Sequence, residues 1–445
     1  MIKVLILAYD FPPYVSVGGL RPYNWYRYLN EYGIYPIVVT RQWGNEYGND
    51  LDYIAPGTSN ERIVEETEFG TILRTPYRPN LSNRMMLKYG KDKYRFFRRA
   101  MTFLNQIGQH LSYRGPKSGL YRGAKQFLRT EKVDFILATG DPFILFKYAS
   151  KLSKQHSIPW IADYRDLWIG HDRVSFRSID AKLLPYLERR YLKNVHSVST
   201  VSQFLETQLK KNLPNKKFHL QLNGYNPEVM NGVKDLKQNS EVLTISISGT
   251  INAWHPLEGF LANCEEFIQR NLESPVRIKF YGTNINAEIL ELAKEKFSSI
   301  SPMIEVIPRL QNEALAQEMA RDNLFLLFND YSILGTKIFD YIGIQRKILL
   351  CFSDDQDALN LKLKHFNFDE SPTTNTHLQS DAILDTNSGV IIQNGEHLQA
   401  ILKELSDEFQ RTGSILCDST NIDAYSRKLQ VENFAKYVQA SILSK

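Results

Sequence analysis

The sequence predicts an α/β protein made of two successive doubly wound, Rossmann-like domains. Apolar, β-rich runs alternate with segments of helical periodicity along almost the whole chain, the runs are bounded by Gly, Pro, Asn and Asp, and a polar stretch interrupts the alternation once near the middle. The length of 445 residues, with 43% hydrophobic and 23% charged residues, fits two such domains and excludes disordered, collagen-like and coiled-coil classes.

The opening unit shows the pattern. Ile2 to Ala8 reads as a strand, Asp10 to Gly19 as a loop, Leu20 to Tyr32 as a helix ended by Gly33, and Pro36 to Thr40 as a second strand, hence a βαβ unit. The alternation resumes with strand 133–138, helix 143–155, strands 159–163 and 197–201, helix 203–211 and strand 218–222. Residues 226–241 are polar and aperiodic and are expected to link an N-terminal domain, 1–225, to a C-terminal domain, 242–420. The second series runs through strand 242–248, helix 256–270, strand 276–281, helix 287–297, strand 303–307, helix 312–321, strand 324–328, helix 336–342 and strand 347–352. Residues 354–390 look irregular. Helices follow near 396–410 and 423–442, and residues 421–445 are expected to cross back to the first domain.

Charge is unevenly placed. The net charge is +5, from 54 Lys and Arg against 49 Asp and Glu, but residues 84–130 alone carry +11 and the rest is acidic by 6. Tyr94, Phe97, Met101 and Leu104 recur at helical spacing among those cations, which suits an interfacial helix on an anionic membrane surface. No nucleic-acid-binding motif accompanies them, so no nucleic-acid partner is expected. Three scattered cysteines, Cys264, Cys351 and Cys417, form no CxxC motif and imply a reducing compartment. The N-terminus reads as a buried strand and not as a signal peptide, and no apolar run reaches 18 residues. A cytoplasmic protein, peripheral on the inner face of the cell membrane, is expected.

In doubly wound folds ligands bind beyond the carboxyl ends of the strands. Three loops there carry chemistry. Gly18 and Gly19 open the first helix and let backbone approach an anionic group. Asp163, Arg165 and Asp166, with Tyr164, Leu167 and Trp168, cluster after a strand, where a carboxylate can orient or deprotonate a sugar hydroxyl and Arg165 can grip phosphate. In the second half Gly335 and Thr336 begin a helix that Thr336 is expected to cap. Lys337 lies in its first turn and Asp340 further along, a pattern suited to diphosphate with ribose hydroxyls on Asp340.

These blocks together resemble glycosyltransferases of the GT-B fold, most closely the large retaining family 4. The carriers are Phe11-Pro12-Pro13 with Gly18-Gly19, the block from Asp163 to Trp168, Asn223-Gly224-Tyr225-Asn226, Ser248-Gly249-Thr250, and Lys337-Ile338-Phe339-Asp340-Tyr341. The resemblance implies two Rossmann-like domains facing across a cleft and transfer of a sugar, with retention, from a nucleotide diphosphate sugar to a glycan or lipid-linked acceptor, in surface or capsular polysaccharide synthesis. It implies no cofactor and no metal; Asp354-Asp355 reads as solvated. Gly249, Thr250, Ser332, Gly335, Thr336, Lys337 and Asp340 would bind the donor; Gly18, Gly19, Asp163, Arg165 and Asp166 would lie on the acceptor side. Asp163, Lys337 and Arg309 would serve catalysis, Lys337 and Arg309 by stabilising the departing diphosphate. The family's paired glutamates correspond to Ser332 and Asp340, and Asn252-Ala253-Trp254-His255 stands where many members have a basic pair. A nucleotide-sugar epimerase of the same fold, or a catalytically silent nucleotide- or sugar-binding partner protein, is the alternative.

Overall fold

The computed structural model describes residues 1–44, 51–169, 180–273, 275–368, 370 and 377–442, which divide into two units. Unit 1 comprises Met1–Leu222 and Gln430–Lys445; unit 2 is Asn223–Leu429. The strands and helices of unit 1 are, in chain order, β1 (Ile2–Leu7), α1 (Val17–Tyr28), β2 (Ile34–Arg41), β3 (Ile63–Glu66), β4 (Thr71–Thr75), α2 (Leu81–Tyr89), α3 (Arg95–Leu111), α4 (Ser118–Phe127), β5 (Phe135–Gly140), α5 (Ile144–His156), β6 (Trp160–Tyr164), α6 (Asp180–Tyr191), β7 (Ser197–Thr200), α7 (Gln203–Asn212) and β8 (Lys217–Leu220). Unit 2 contains α8 (Pro227–Asn231), β9 (Leu243–Ser248), α9 (Leu257–Arg270), β10 (Val276–Tyr281), α10 (Asn286–Lys296), β11 (Ile304–Ile307), α11 (Asn312–Met319), β12 (Leu324–Phe328), α12 (Lys337–Ile344), β13 (Lys347–Cys351), α13 (Gln356–His365), α14 (Leu378–Thr386), β14 (Gly389–Ile392) and α15 (Gly395–Thr412). The last helix, α16 (Arg427–Ile442), begins in unit 2 and runs on in unit 1.

Each unit has one sheet. The first is ordered β3-β4-β2-β1-β5-β6-β7-β8 and is parallel except for its edge strand β3, which runs antiparallel to β4. The second is ordered β11-β10-β9-β12-β13-β14 and is parallel throughout. Both orders reverse beside the first strand of their unit, between β1 and β5 and between β9 and β12, as in the Rossmann arrangement. The two-domain α/β fold expected from the alternation is therefore present.

The inner strands are apolar because helices cover both faces of a parallel sheet. One face of the first sheet packs Leu5, Leu7, Ile136 and Ala138 with Phe146 and Trp160; the other packs Val4, Ile6 and Leu137 with Trp25 of α1 and with Val431, Phe434, Ala435 and Val438 of α16. A buried ion pair ties this core together. Arg21 of α1 donates from Nε to Asp163 Oδ1 at 2.9 Å, and its Nη1 reaches the Gln221 carbonyl at 2.7 Å. Thr139 and Ser199 hydroxyls donate to Asp163 at 2.9 and 2.7 Å. One carboxylate thus joins α1, β5, β6 and β7.

Several expected boundaries change. Residues 226–241 belong to unit 2 and are not a free linker: their carbonyls are held by buried Arg346, whose Nη2 lies 2.7 Å from the Leu236 oxygen, and by Asn323, whose Nδ2 lies 2.9 Å from that of Asn239. The stretch 354–390 holds α13, α14 and β14. Its periodicity was masked because α14 buries Gln379 and Thr386 beside Ala382 and Ile383, and α13 buries only Ala358. The expected Thr336 cap is absent, since its side chain makes no capping bond to α12.

The basic segment 84–130 is two different structures. Its second half, α4, places Leu120, Tyr121, Ala124 and Leu128 in the core. Its first half is a helical pair, α2 and α3, in which α3 has no buried residue. Ser82 joins the pair by donating to the Arg98 carbonyl at 3.1 Å, and Lys147 Nζ binds the carbonyls of Gln109, His110 and Ser112 at 2.8, 3.0 and 2.7 Å at the end of α3. Removing one partner of a buried ion pair strands the other, so Asp163→Ala should cost unit 1 about 3–5 kcal/mol. Urea unfolding checks this; a loss under about 1 kcal/mol would contradict the structural role of the pair.

Candidate functional site

In unit 2 the loops after β9 and β12, the strands at the reversal of order, meet the start of α12. Two side chains one helical turn apart hold them in place. Tyr341 Oη accepts the Ser248 backbone N–H at 2.8 Å, and Lys337 Nζ donates to the Thr250 carbonyl at 2.9 Å. Between these anchors Gly249 adopts φ +72°, a conformation suited to glycine. Gly249, Thr250, Gly335, Thr336 and Lys337 are thus brought together around the amides that open α12.

Burial pushes the Lys337 amine down to about 8, against the pull of nearby Asp330. Asp330 is itself held by an aromatic and imidazole clamp. His255 Nε2 lies 2.8 Å and Trp254 Nε1 3.1 Å from Asp330 Oδ1, and the Asp330 N–H donates to Gln379 Oε1 at 2.7 Å. Burial alone would raise this carboxyl, but the His255 hydrogen bond, then Lys337 and Trp254, hold it below its ordinary value. His255 Nδ1 accepts the Asn252 N–H at 3.1 Å, which assigns the Nε2 proton to the Asp330 bond. A fixed anion, a depressed ammonium and open helix amides can together accept a diphosphate: the ligand's charge restores the lysine proton, and Asp330 limits how far the lysine is neutralised without ligand.

The other expected donor residues divide. Asp340 is 42% exposed in its side chain and lies 3.9 Å from Arg427 Nη2, so its carboxylate is within reach of a ligand on α12. Ser332 is corrected: its side chain is completely buried and its Oγ has no hydrogen-bond partner among the described residues, so it is not presented to a ligand. The carboxylate at this point is Glu370, whose Oε1 accepts the Ser332 N–H at 3.3 Å and whose other oxygen lies 2.7 Å from Lys362 Nζ. Arg309 stands apart from this group. It is exposed beyond the edge strand β11, with its backbone against Gly282, and no contact among the described residues links it to Lys337. Of the pair expected to be solvated, Asp354 is exposed, whereas Asp355 is half-buried and caps α13 through the Ala358 N–H at 2.9 Å. Glu370 carried no sequence signal, because it lies 38 residues from Ser332. His255 stood in the noted stretch 252–255, but its partner Asp330, 75 residues on, carried no sequence signal.

In unit 1 the loops after β1, β5 and β6 form a second polar cluster at the corresponding reversal. Ser16 caps α1 through the Gly19 N–H at 3.1 Å and donates to Asp10 Oδ2 at 2.9 Å. Arg165 grips successive carbonyls, Nε to Gly140 at 2.7 Å and Nη2 to Asp141 at 2.6 Å. A Cβ at Gly18 would meet Arg165 Nη1 and Asp10 Oδ2, so a side chain there would displace the ends of both. Burial raises the Asp10 carboxyl, and Arg165 and Ser16 oppose the rise. Burial lowers the Lys117 amine, which Asp141 and Asp10 pull back up. Asp163 is the correction here. It lies beneath the cluster with no exposed area and both oxygens engaged, so it cannot serve as an acceptor-side or catalytic carboxylate as placed. Asp166 is exposed, and its Oδ1 accepts the Leu167 N–H at 2.8 Å. The Trp168 ring packs inward on Phe143 and Tyr191.

The sequence matches no family model and no curated protein. Solved structures do match over the full length. An α,α-trehalose-phosphate synthase from Burkholderia xenovorans, in complex with glucose-6-phosphate, aligns with a TM-score of 0.58 at 10% identity over 99% of this chain and 100% of that one. The sucrose-phosphate synthase of Thermosynechococcus elongatus aligns with a TM-score of 0.54 at 14% identity over 99% and 95%, and a glycosyltransferase from Rickettsia africae with 0.54 at 12% over 100% and 99%. At these identities the likeness is one of fold: the chain has the two-domain GT-B fold of these glycosyltransferase structures.

Proposed function

We propose that this protein transfers a sugar from a nucleotide diphosphate sugar to an acceptor hydroxyl, with the nucleotide held by unit 2. The observation that carries this reading is Lys337, an amine depressed to about 8 at the open start of α12 and tied to the Thr250 carbonyl. As the bond between sugar and diphosphate breaks, negative charge grows on the leaving phosphate. A preorganised ammonium and the α12 amides stabilise that charge more than they stabilise the bound donor. Asp340 takes ribose hydroxyls, and Glu370, standing at the Ser332 backbone, is the carboxylate for the sugar. The acceptor hydroxyl gives its proton to the leaving phosphate, so no separate base is needed. The cluster of Asp10, Gly18 and Arg165 holds the acceptor on unit 1. Retention of configuration and independence of metal follow from the sequence resemblance; engagement of Asp355 as a helix cap leaves the Asp354-Asp355 pair poorly suited to a cation. A uridine diphosphate donor is the first choice to test, since a neighbouring structure of this fold, that of the E. coli trehalose-6-phosphate protein, is described as bound with UDP-2-fluoro glucose.

The reading extends to a membrane-linked acceptor in surface or capsular polysaccharide synthesis, at the inner face of the cell membrane. No helix among the described residues is long and apolar enough to cross a bilayer. Instead α3 offers Phe97, Leu104 and Leu111 at seven-residue spacing on one face, with Phe96 84% exposed beside them. Lys91, Lys93, Arg95 and Arg99 lie at the same end of the helical pair. Exposed aromatics among cations suit the headgroup region of an anionic leaflet.

Lys337→Ala should weaken binding of uridine diphosphate about 10- to 100-fold by calorimetry, the loss of one charge-assisted contact, and Asp340→Ala should weaken it as well. Unchanged affinity in both removes the site. Because Lys337 is charged below about pH 8 and neutral above it, affinity should be highest on the acid side and fall as pH rises through 8, at most about tenfold per unit. Binding near pH 8 should take up a proton, read as a dependence of calorimetric enthalpy on the buffer. Slow donor hydrolysis without acceptor is expected of an active enzyme; binding with no turnover would instead indicate a silent nucleotide-sugar-binding protein. Vesicles containing phosphatidylglycerol should cosediment the protein at low salt, and replacing Phe96, Phe97 and Leu104 by Ser should abolish this. Equal sedimentation of that variant would rule out the α3 surface.

A further inference from the structure

A cavity of about 470 Å³ in unit 1 lies between the start of β3, the end of β4 and α4. The antiparallel course of β3 brings Asn60 and Arg62 to the carboxyl end of β4, where Arg78 follows, and α4 contributes Gly119, Arg122 and Gln126. The approach of α4 is close: a Cβ on Gly119 would lie 2.9 Å from the Pro76 oxygen, and one on Gly123 2.6 Å from Thr75 Cγ2. Three arginines therefore share one cavity that no acidic residue lines among the described residues. Two other arginines of this unit are neutralised by carboxylates, Arg74 by a two-pronged bond to Glu65 and Arg21 by Asp163. Arg62, Arg78 and Arg122 have no such partner among the described residues. Neutral groups orient two of them: Arg78 Nη2 donates to Asn60 Oδ1 at 3.2 Å, and Arg122 Nη1 to Ser118 Oγ at 2.8 Å.

We propose that this arginine-lined cavity is a binding site for a phosphate group, separate from the nucleotide site of unit 2. Like charges gathered without a counter-ion repel one another, and an anion converts that repulsion into attraction. Guanidinium forks match the oxyanion geometry and pair with it bidentately. A carboxylate has two oxygens to share among three forks, whereas a phosphate monoester has three terminal oxygens and a charge near −2. The carrier of the phosphate is either a phosphorylated sugar or free inorganic phosphate; the recognised chemistry is the same. The site stands independently of the transferase reading.

Inorganic phosphate titrated into the full-length protein by calorimetry, at constant ionic strength with chloride as the reference anion, tests this directly. Saturable binding is expected, weakened about tenfold by each of Arg62→Gln, Arg78→Gln and Arg122→Gln, and unchanged by Arg129→Gln just beyond the end of α4. All these side chains are exposed, so the variants should fold as the parent does. Glucose 6-phosphate binding more tightly than phosphate would identify a phosphorylated sugar as the carrier, and equal affinities would identify the free anion. Absence of saturable binding, or affinity that survives in all three cavity variants, overturns the proposal. So does loss of phosphate binding in Lys337→Ala alone, which would place the phosphate in unit 2. Failure of nucleotide binding with the arginine-dependent phosphate response intact would instead defeat only the transferase reading.

Discussion

In a parallel sheet every strand ends on the same side, and each crossover helix must begin there. Where strand order reverses, neighbouring crossovers turn to opposite faces and leave the carboxyl ends between them uncovered. Both sheets here reverse once, beside β1 and beside β9. That geometric constraint locates the two polar clusters. The loop of Asp10 to Gly19 meets that of Gly140 and Asp141 at one reversal, and Gly249-Thr250 meets the start of α12 at the other.

Depth then separates structural charges from available ones. Asp163 sits at the last turn of β6, one layer below the loop, and at that depth an ionised carboxylate is tolerated only with its oxygens fully matched. Arg21, Thr139 and Ser199 supply the match, which makes the group unavailable to anything else. Asp330 lies beyond the end of β12 and is matched differently. His255 and Trp254 bond one oxygen, and the remaining field reaches Lys337. An ammonium stabilised only in part by its carboxylate is poised to gain from a second anion. The unit 1 pair is closed, and the unit 2 pair is open.

This difference also explains what could be read from sequence. Periodicity revealed β9 to β13 and most of β1 to β8, because buried parallel strands are apolar runs with little ambiguity. The start of α12 was legible for the same reason: a strand, a glycine and a basic residue in order already define the local geometry. Asp163 and Arg165 looked alike as polar residues near a strand's end, yet two steps along the chain take a side chain from within β6 to the loop beyond it. Their separation depends on partners 36 and 142 residues away, Ser199 and Arg21, and no local spacing encodes that. Glu370 escaped notice on the same grounds. Helix α14 escaped because it buries Gln379, whose amide is needed to hold Asp330, so a polar residue occupies a position that periodicity reserves for an apolar one.

The cationic excess of residues 84–130 sharpens under the same argument. Read as a total, it suggests one surface of one character. Packing divides it. On α3, where nothing is buried, cations lie beside exposed Phe96, Phe97 and Leu104, an amphipathic mixture that favours a boundary between water and apolar matter. On α4 the apolar residues are consumed by the core, and Arg122 is left in a cavity with Arg62 and Arg78, neither of which belongs to the segment. A lipid surface satisfies the first arrangement because it offers diffuse charge over a broad apolar layer. The second is concave and holds its forks on Asn60 and Ser118, which suits a compact anion with several oxygens. One run of basic sequence therefore forms two different cationic surfaces, and what divides them is whether the helix that carries the cations has a core to pack against.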